Sequence, residues 1–139
     1  MKLIDTIIEH ITDNMELELR EMARKLLHHY GFVKIKSRGD MEVYSNMDEK
    51  YNLTVRISNL HWGNDSVLVG RIIYRGPKKD SPNEIEEMDL DIHPIHPNDK
   101  SFPHELNYAV RYVKSIKDNN EIEPYPTDSE NMWGNIMGV

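Results

Sequence analysis

The chain has 139 residues, of which 38% are hydrophobic and 29% are charged, and it contains no cysteine. This length fits one domain with its own core. The lack of cysteine excludes a disulfide framework and a thiolate metal site, which favours a cytoplasmic protein. The first fourteen residues carry acids at Asp5 and Glu9 and no long apolar run, so they predict neither a signal peptide nor a membrane span.

The formal net charge of −7 is distributed unevenly along the chain. Residues 1–31 have a net charge of −2, residues 32–79 a net charge of +4, and residues 80–139 a net charge of −9. Separated charge of this size creates a directional field that can steer a binding partner.

The first thirty residues predict helical structure. Apolar residues recur at steps of three and four, which places them on one face of a helix. Asp13 followed by Glu16 fits a capping box, and Gly31 is a typical helix stop. The pattern predicts two helices, about residues 2–12 and 15–30, or one bent helix.

The apolar period then changes to two, which is typical of strands. Five alternating runs follow, with turn residues at Gly39-Asp40 and again at 61–65. Gly70 interrupts the fourth run and indicates a bulge or a close-packing point. Successive runs joined by short turns predict a mainly antiparallel sheet of four or five strands.

A last helix is predicted over residues 102–118, beginning after Ser101 with proline at its first position. Residues 121–139 predict an irregular, acidic, proline-containing tail that packs on the domain or on a partner. Residues 1–120 would form a single α+β domain, with the N-terminal and C-terminal helices on one face of the sheet. Its core would include Val33, Ile35, Val55, Ile57, Val67, Val69, Leu106, Val110 and Val113.

Cationic side chains alternate along the predicted strands and would form a basic face of the sheet. A few arginines suffice to bind a small anionic ligand such as a nucleotide. If Tyr44 or Tyr74 shared that face, nucleic acid would also fit, although the sequence pI of about 5.4 argues against it. An ordinary solvated sheet face is the simpler interpretation. The candidate anion-binding residues are Lys34, Lys36, Arg38, Arg56, Arg71, Arg75 and Arg111.

The last third of the chain is acidic in two stretches, residues 80–91 and 121–130. Aromatic residues close to such acids can anchor a protein partner that the charge steers. A solubilising surface is the alternative interpretation. The candidate partner-binding residues are Glu84, Glu86, Glu87, Asp89, Asp91, Tyr125 and Trp133.

His93 and His96 lie close to several acids, and zinc accepts both types of ligand. In an extended, proline-interrupted stretch, however, positions three apart point to opposite sides, so the spacing argues against a metal site. The sequence contains no phosphate-binding loop, nucleophile elbow or zinc-protease motif. We therefore expect no catalytic residue and no cofactor. A metal-dependent hydrolase that uses the two histidines is the remaining enzymatic alternative.

Together these features predict a small acidic, non-catalytic binding protein that engages a macromolecular partner, expected to be another protein, through its acidic C-terminal surface, which would fit a basic groove on that partner. The acidic, motif-free composition resembles that of phage-encoded host modulators, anti-defence proteins and toxin-immunity proteins, which implies an inhibitory role. The alternative is a protein that sequesters a small anionic ligand or a nucleotide with a basic sheet face. Nucleic acid is a less favoured partner, a membrane is not expected, and the pattern is compatible with a homo-oligomer.

Overall fold

The computed structural model describes residues 17–121, apart from the side chain of Trp62. Within this part, helix α1 occupies residues 17–29. The elements that follow are strands β1 (Val33–Arg38), β2 (Met41–Ser45), β3 (Asn52–Trp62), β4 (Asp65–Pro77) and β5 (Ile85–Pro94), and helix α2 (Ser101–Asp118).

The five strands form one antiparallel sheet in the order β1-β2-β3-β4-β5, which confirms the predicted meander. Two-residue turns close two of its hairpins, because Arg38 pairs with Met41 and Trp62 pairs with Asp65. The first turn residues, Gly39 and Gly63, both have φ near +60°, a conformation that glycine adopts without steric penalty.

Both described helices pack against the same face of the sheet. The inward residues of β3, Leu53, Val55 and Ile57, are at most 2% exposed and belong to one apolar cluster with both helices. This arrangement confirms that the helices cover one side of the sheet. The helix residues in that cluster are Met22, Ala23, Leu26 and Leu27 of α1 and Phe102, Leu106, Ala109 and Val113 of α2.

Three predicted core residues are wrong. Val33 and Ile35 are 51% and 54% exposed, because β1 is an edge strand whose six residues are all exposed. Val67 is 43% exposed on the side of the sheet that faces away from both described helices, whereas Val69 is buried on that same side. The remaining predictions are confirmed for Val55, Ile57, Val69, Leu106 and Val113, which are buried, whereas Val110 is half-buried.

The helix boundaries differ from the prediction in detail. The predicted helix 15–30 is confirmed in its described part, and the predicted helix 2–12 lies outside the described residues, as does the tail beyond residue 121. Helix α2 begins at Ser101, whose backbone N–H donates to Asp99 Oδ1 at 2.9 Å. Pro103 is therefore the third residue of the helix, still within the turn where helical N–H groups have no helical acceptor.

Gly70 allows α2 to approach the sheet closely. A Cβ atom at this position would lie 2.2 Å from Cε1 of Phe102, whose side chain is fully buried. The predicted close-packing point is thus confirmed. The bulge lies beside it, between Arg71 and Ile72 in the register of β4 with β5.

We expect Gly70→Ala to lower the free energy of unfolding by about 1–3 kcal/mol, because the added methyl group overpacks the site of the Phe102 ring. At an unhindered strand position, replacing glycine by alanine would instead raise the free energy of unfolding. The sign of the change therefore shows whether the added methyl group meets the Phe102 ring. Chemical denaturation of Gly70→Ala, Phe102→Leu and the double variant tests this expectation. The double variant should lose less than the sum of the single variants, and additive losses would contradict the proposed contact.

Candidate functional site

One face of the sheet is not covered by either described helix. Side chains alternate between the two faces of a sheet along each strand, and residues that pair across neighbouring strands point to the same face. We call the face that neither described helix covers the open face. Its charged members are Lys36, Arg38, Arg56, Arg71, Arg75, Asp65, Glu87 and Asp89. Its exposed apolar members are Val33, Leu60, Val67, Ile85 and Ile92, which are 40–67% exposed.

Three cations lie on one row across the open face. Lys36 pairs with Val43, Val43 with Arg56, and Arg56 with Arg71. Like charges directly opposite each other on neighbouring strands repel, so Arg56 and Arg71 need a compensating anion. Within the chain, that anion is Asp89 of β5.

Asp89 binds Arg71 through two hydrogen bonds. Nε of Arg71 donates to Oδ1 at 3.0 Å, and Nη2 donates to Oδ2. These bonds hold the pKa of Asp89 below its usual value and raise the pKa of Arg71. The bidentate pair engages both oxygens of the carboxylate, whereas Arg56 makes no direct bond to Asp89 and contributes only a longer-range attraction to it.

Four cations of the open face have no hydrogen-bond or ion-pair partner within the described part of the chain. They occupy exposed positions on three different strands. An exposed guanidinium or ammonium group without a partner is available to bind an anion. These residues are Lys36, Arg38, Arg56 and Arg75.

The other two predicted anion-binding residues lie on the helix side of the sheet. Lys34 is placed 3.5 Å from a carboxylate oxygen of Glu42. Arg111, on α2, donates from Nε to Oδ1 of Asn107 at 2.7 Å. The structure therefore brings five of the seven predicted cations together on the open face and separates two from them.

The predicted acidic surface is largely engaged in contacts within the chain. Glu84 forms an ion pair with Lys78 at 3.1 Å, and Glu86 accepts a hydrogen bond from the Tyr112 hydroxyl at 2.5 Å. Burial and the neighbouring Glu86 together raise the pKa of Tyr112. With Asp89 bound to Arg71, three of the five described acids of this set have side-chain partners within the chain.

The remaining members of the acidic set differ in position. Glu87 lies on the open face opposite Arg75, and Asp91 lies at the bulge, where its Oδ1 accepts from the N–H of Ile92. Glu87, Asp89 and Asp91 therefore lie on the same side of the sheet as the basic set, whereas Glu86 lies on the helix side. Tyr125 and Trp133 lie outside the described residues, so their role in partner binding stays a prediction.

The cleft on the open face is poorly suited to a small anion. A cleft of about 350 Å³ beside the bulge is lined by two acids, Asp89 and Asp91, together with Arg71 and Ile92. An anion there would meet two carboxylates and an arginine that is already paired. A second cleft, of about 360 Å³, lies on the helix side and is lined by none of the predicted site residues. Two residues of its lining, Lys117 and Asp48, form an ion pair of 2.8 Å.

The predicted aromatic platform is not part of the open face. Tyr44 and Tyr74 are both 1% exposed and belong to the core on the helix side. The hydroxyl of Tyr74 donates to the carbonyl of Pro77 at 2.9 Å, and burial raises its pKa to about 12. Neither ring is available to stack on a base.

The histidines do not form part of a metal cluster in the described residues, where no group of three or more potential ligands comes together. His93 pairs with Gly70 at the end of β5, and Nδ1 of His96 accepts from the N–H of Asn98 at 3.1 Å. The use of these histidines in metal-dependent hydrolysis stays a prediction without structural support.

Sequence reasoning missed a buried carboxylate on the helix side. Glu42 is 5% exposed and accepts hydrogen bonds from Arg20 at 2.9 Å and from Arg24 at 3.0 and 3.2 Å. Burial by itself would raise the pKa of Glu42, but the two arginines outweigh it and hold this pKa below its usual value. The available signal was an acid at an inward strand position, two residues before Tyr44.

The two arginines make Glu42 a structural anion rather than a proton-transfer group. A general base needs an accessible carboxylate with a pKa close to the working pH, and this carboxylate is held ionised and enclosed by α1. The same geometry anchors α1, because Arg20 also donates to the carbonyl of Asp40 at 2.7 Å and to Asn59.

No protein-family model matches this chain, and no curated protein or solved structure matches it. Neither helix in residues 17–121 is long and apolar enough to cross a membrane.

We expect Glu42→Gln to lower the free energy of unfolding by about 3 kcal/mol, because it leaves two partly buried arginines without their anion. The lowered pKa of Glu42 stabilises the fold at pH values above its unfolded value of about 4.5, and this contribution is lost as the pH falls through the folded value. Urea titrations between pH 3 and pH 7 should therefore show a smaller difference between wild type and variant at low pH. A difference that is constant with pH would contradict this assignment.

Proposed function

We propose that this chain is a non-catalytic binding protein that engages another protein through the open face of its sheet. The observation that carries the proposal is a sheet face that neither described helix covers and that combines exposed apolar side chains with cations that have no partner within residues 17–121. Protein interfaces typically combine an apolar contact area with arginine side chains. A role as an inhibitor or an immunity-type protein would use such a face by covering a functional surface of its partner.

The shape of the open face supports a macromolecular partner over a small one. Neighbouring strands lie about 4.8 Å apart, so Lys36 and Arg56, two strands apart on one row, are separated by about 10 Å at the backbone. A small ligand pocket encloses most of its ligand. These cations instead spread over an extended surface, and the cleft next to them is lined with acids.

Sequestration of a nucleotide is the second candidate, because Arg56 and Arg71 lie directly opposite each other and could share one phosphate. Thermal-shift measurements with nucleotides separate the two functions. Saturating ligand at a hundredfold excess over Kd stabilises a protein by about 2.7 kcal/mol. We expect no shift in Tm with millimolar ATP, GTP or cyclic nucleotides, and a shift that Arg56→Gln abolishes would favour sequestration.

A photo-crosslinking amino acid placed at Val67, in the open face, should attach this protein to a protein partner in the cells that make it. The matched control is the same amino acid at Lys25, which is exposed on α1. Denaturing gels of both variants after irradiation give the measurement. A discrete higher band for the Val67 variant alone is expected.

Competition makes the crosslinking test specific. Unlabelled wild-type protein should reduce the Val67 crosslink, whereas an unlabelled Val67→Asp variant should not, because the new carboxylate disrupts the apolar part of the face. Equal crosslinking from Lys25 and Val67, or none from Val67, would contradict binding through the open face.

A further inference from the structure

The local charge of the open face has the opposite sign to the charge of the whole chain. The strand pairs of the face carry five cations and three acids, and Asp91 at the bulge beside Arg71 adds a fourth acid, so the face has a net charge of +1, whereas the chain carries −7. The excess is concentrated around the row of Lys36, Arg56 and Arg71, with Arg38 on the same edge strand. The acids Asp65 and Glu87 lie towards opposite ends of the long β3–β4 hairpin.

From this distribution we infer that the surface recognised by the open face is the acidic and partly apolar surface of another protein. The inference rests on the proposed function and names the chemistry of the partner. It runs against the expectation from the net charge, which favours basic partners.

An anion supplied by a partner would stabilise the two arginines at the centre of the open face, Arg56 and Arg71. Arg56 and Arg71 repel each other across strands β3 and β4, and Asp89 compensates Arg71 alone through direct bonds. A carboxylate from a partner placed over Arg56 could accept two parallel N–H bonds from its guanidinium. It would also relieve the repulsion between the two arginines, so its contribution would exceed that of an isolated surface ion pair.

The apolar residues of the face separate an acidic protein from a nucleic acid. Leu60 and Val67 pair directly across β3 and β4, and both are at least 40% exposed. A phosphate backbone offers polar and charged groups to such residues, whereas a protein surface offers apolar side chains. The two tyrosines that the sequence suggested as a stacking platform, Tyr44 and Tyr74, are buried on the other side of the sheet.

The test uses the full chain and three defined probes: a random copolymer of glutamate and tyrosine, a random copolymer of lysine and tyrosine, and single-stranded oligothymidine. We expect the glutamate copolymer to bind with the lowest Kd. Arg56→Glu should raise that Kd by about tenfold or more, because it replaces an attractive contact with a repulsive one. Glu87→Lys should leave the Kd unchanged or lower it.

The matched control is Lys25→Glu, which changes the net charge by the same amount on the exposed surface of α1. It should change the Kd for the glutamate copolymer by less than about twofold, since exposed charges far from the contact are screened. Arg56 is exposed and lies opposite Arg71, so glutamate is tolerated there, and an unchanged Tm verifies that the variant folds.

Several results would overturn the inference: tighter binding of the lysine copolymer, tighter and Arg56-dependent binding of the oligonucleotide, equal effects of Lys25→Glu and Arg56→Glu, or no binding of the glutamate copolymer. The crosslinking at Val67 keeps these failures apart from failure of the proposed function. A protein crosslinked at Val67 together with any of these results leaves the function standing and removes the acidic partner.

Discussion

The buried carboxylate of Glu42 holds helix α1 on the sheet, and the location of the open face depends on it. An ion this well enclosed is stable only with its counter-charges in place, so Arg20 and Arg24 cannot leave the inward side of β2. Helix α2 is held on the same side by the contact of Phe102 with Gly70. Because both helices are fixed to one side, the other side of the sheet keeps its apolar and cationic residues exposed.

The sequence was sufficient to predict the strands, their turns and the helix side, because each depends on local pattern. It could not predict which face of β4 is buried. That strand is apolar in both directions: Leu68 and Ile72 point inward, and Val67 and Ile73 point outward. When both sets are apolar, alternation identifies two faces but not the one that the helices cover. The prediction of Val67 as a core residue failed for this reason.

The sequence predicted only part of the candidate site, because it again did not reveal which face of the sheet each side chain occupies. Lys34, Lys36 and Arg38 occupy alternate positions and should share one face, but a bulge between Lys34 and Lys36 shifts the register by one residue. Lys34 therefore moves to the helix side and approaches Glu42, while the other two stay on the open face. A second bulge, in β5, places Ile92 instead of Asp91 opposite Arg71, and the spacing of these residues along the chain does not reveal it.

The net charge of the chain and the charges at the open face act over different distances, so the two can favour different partners. At physiological ionic strength, exposed charges are screened beyond about 8 Å. The charge of −7 therefore governs how the whole molecule approaches others, whereas Arg56 and its neighbours govern what can be held at the open face. The acids that suggested a basic partner are mostly satisfied by Lys78, Tyr112 and Arg71. An acidic partner would approach this chain against a weak repulsion and be bound by contacts that operate only once the two surfaces meet.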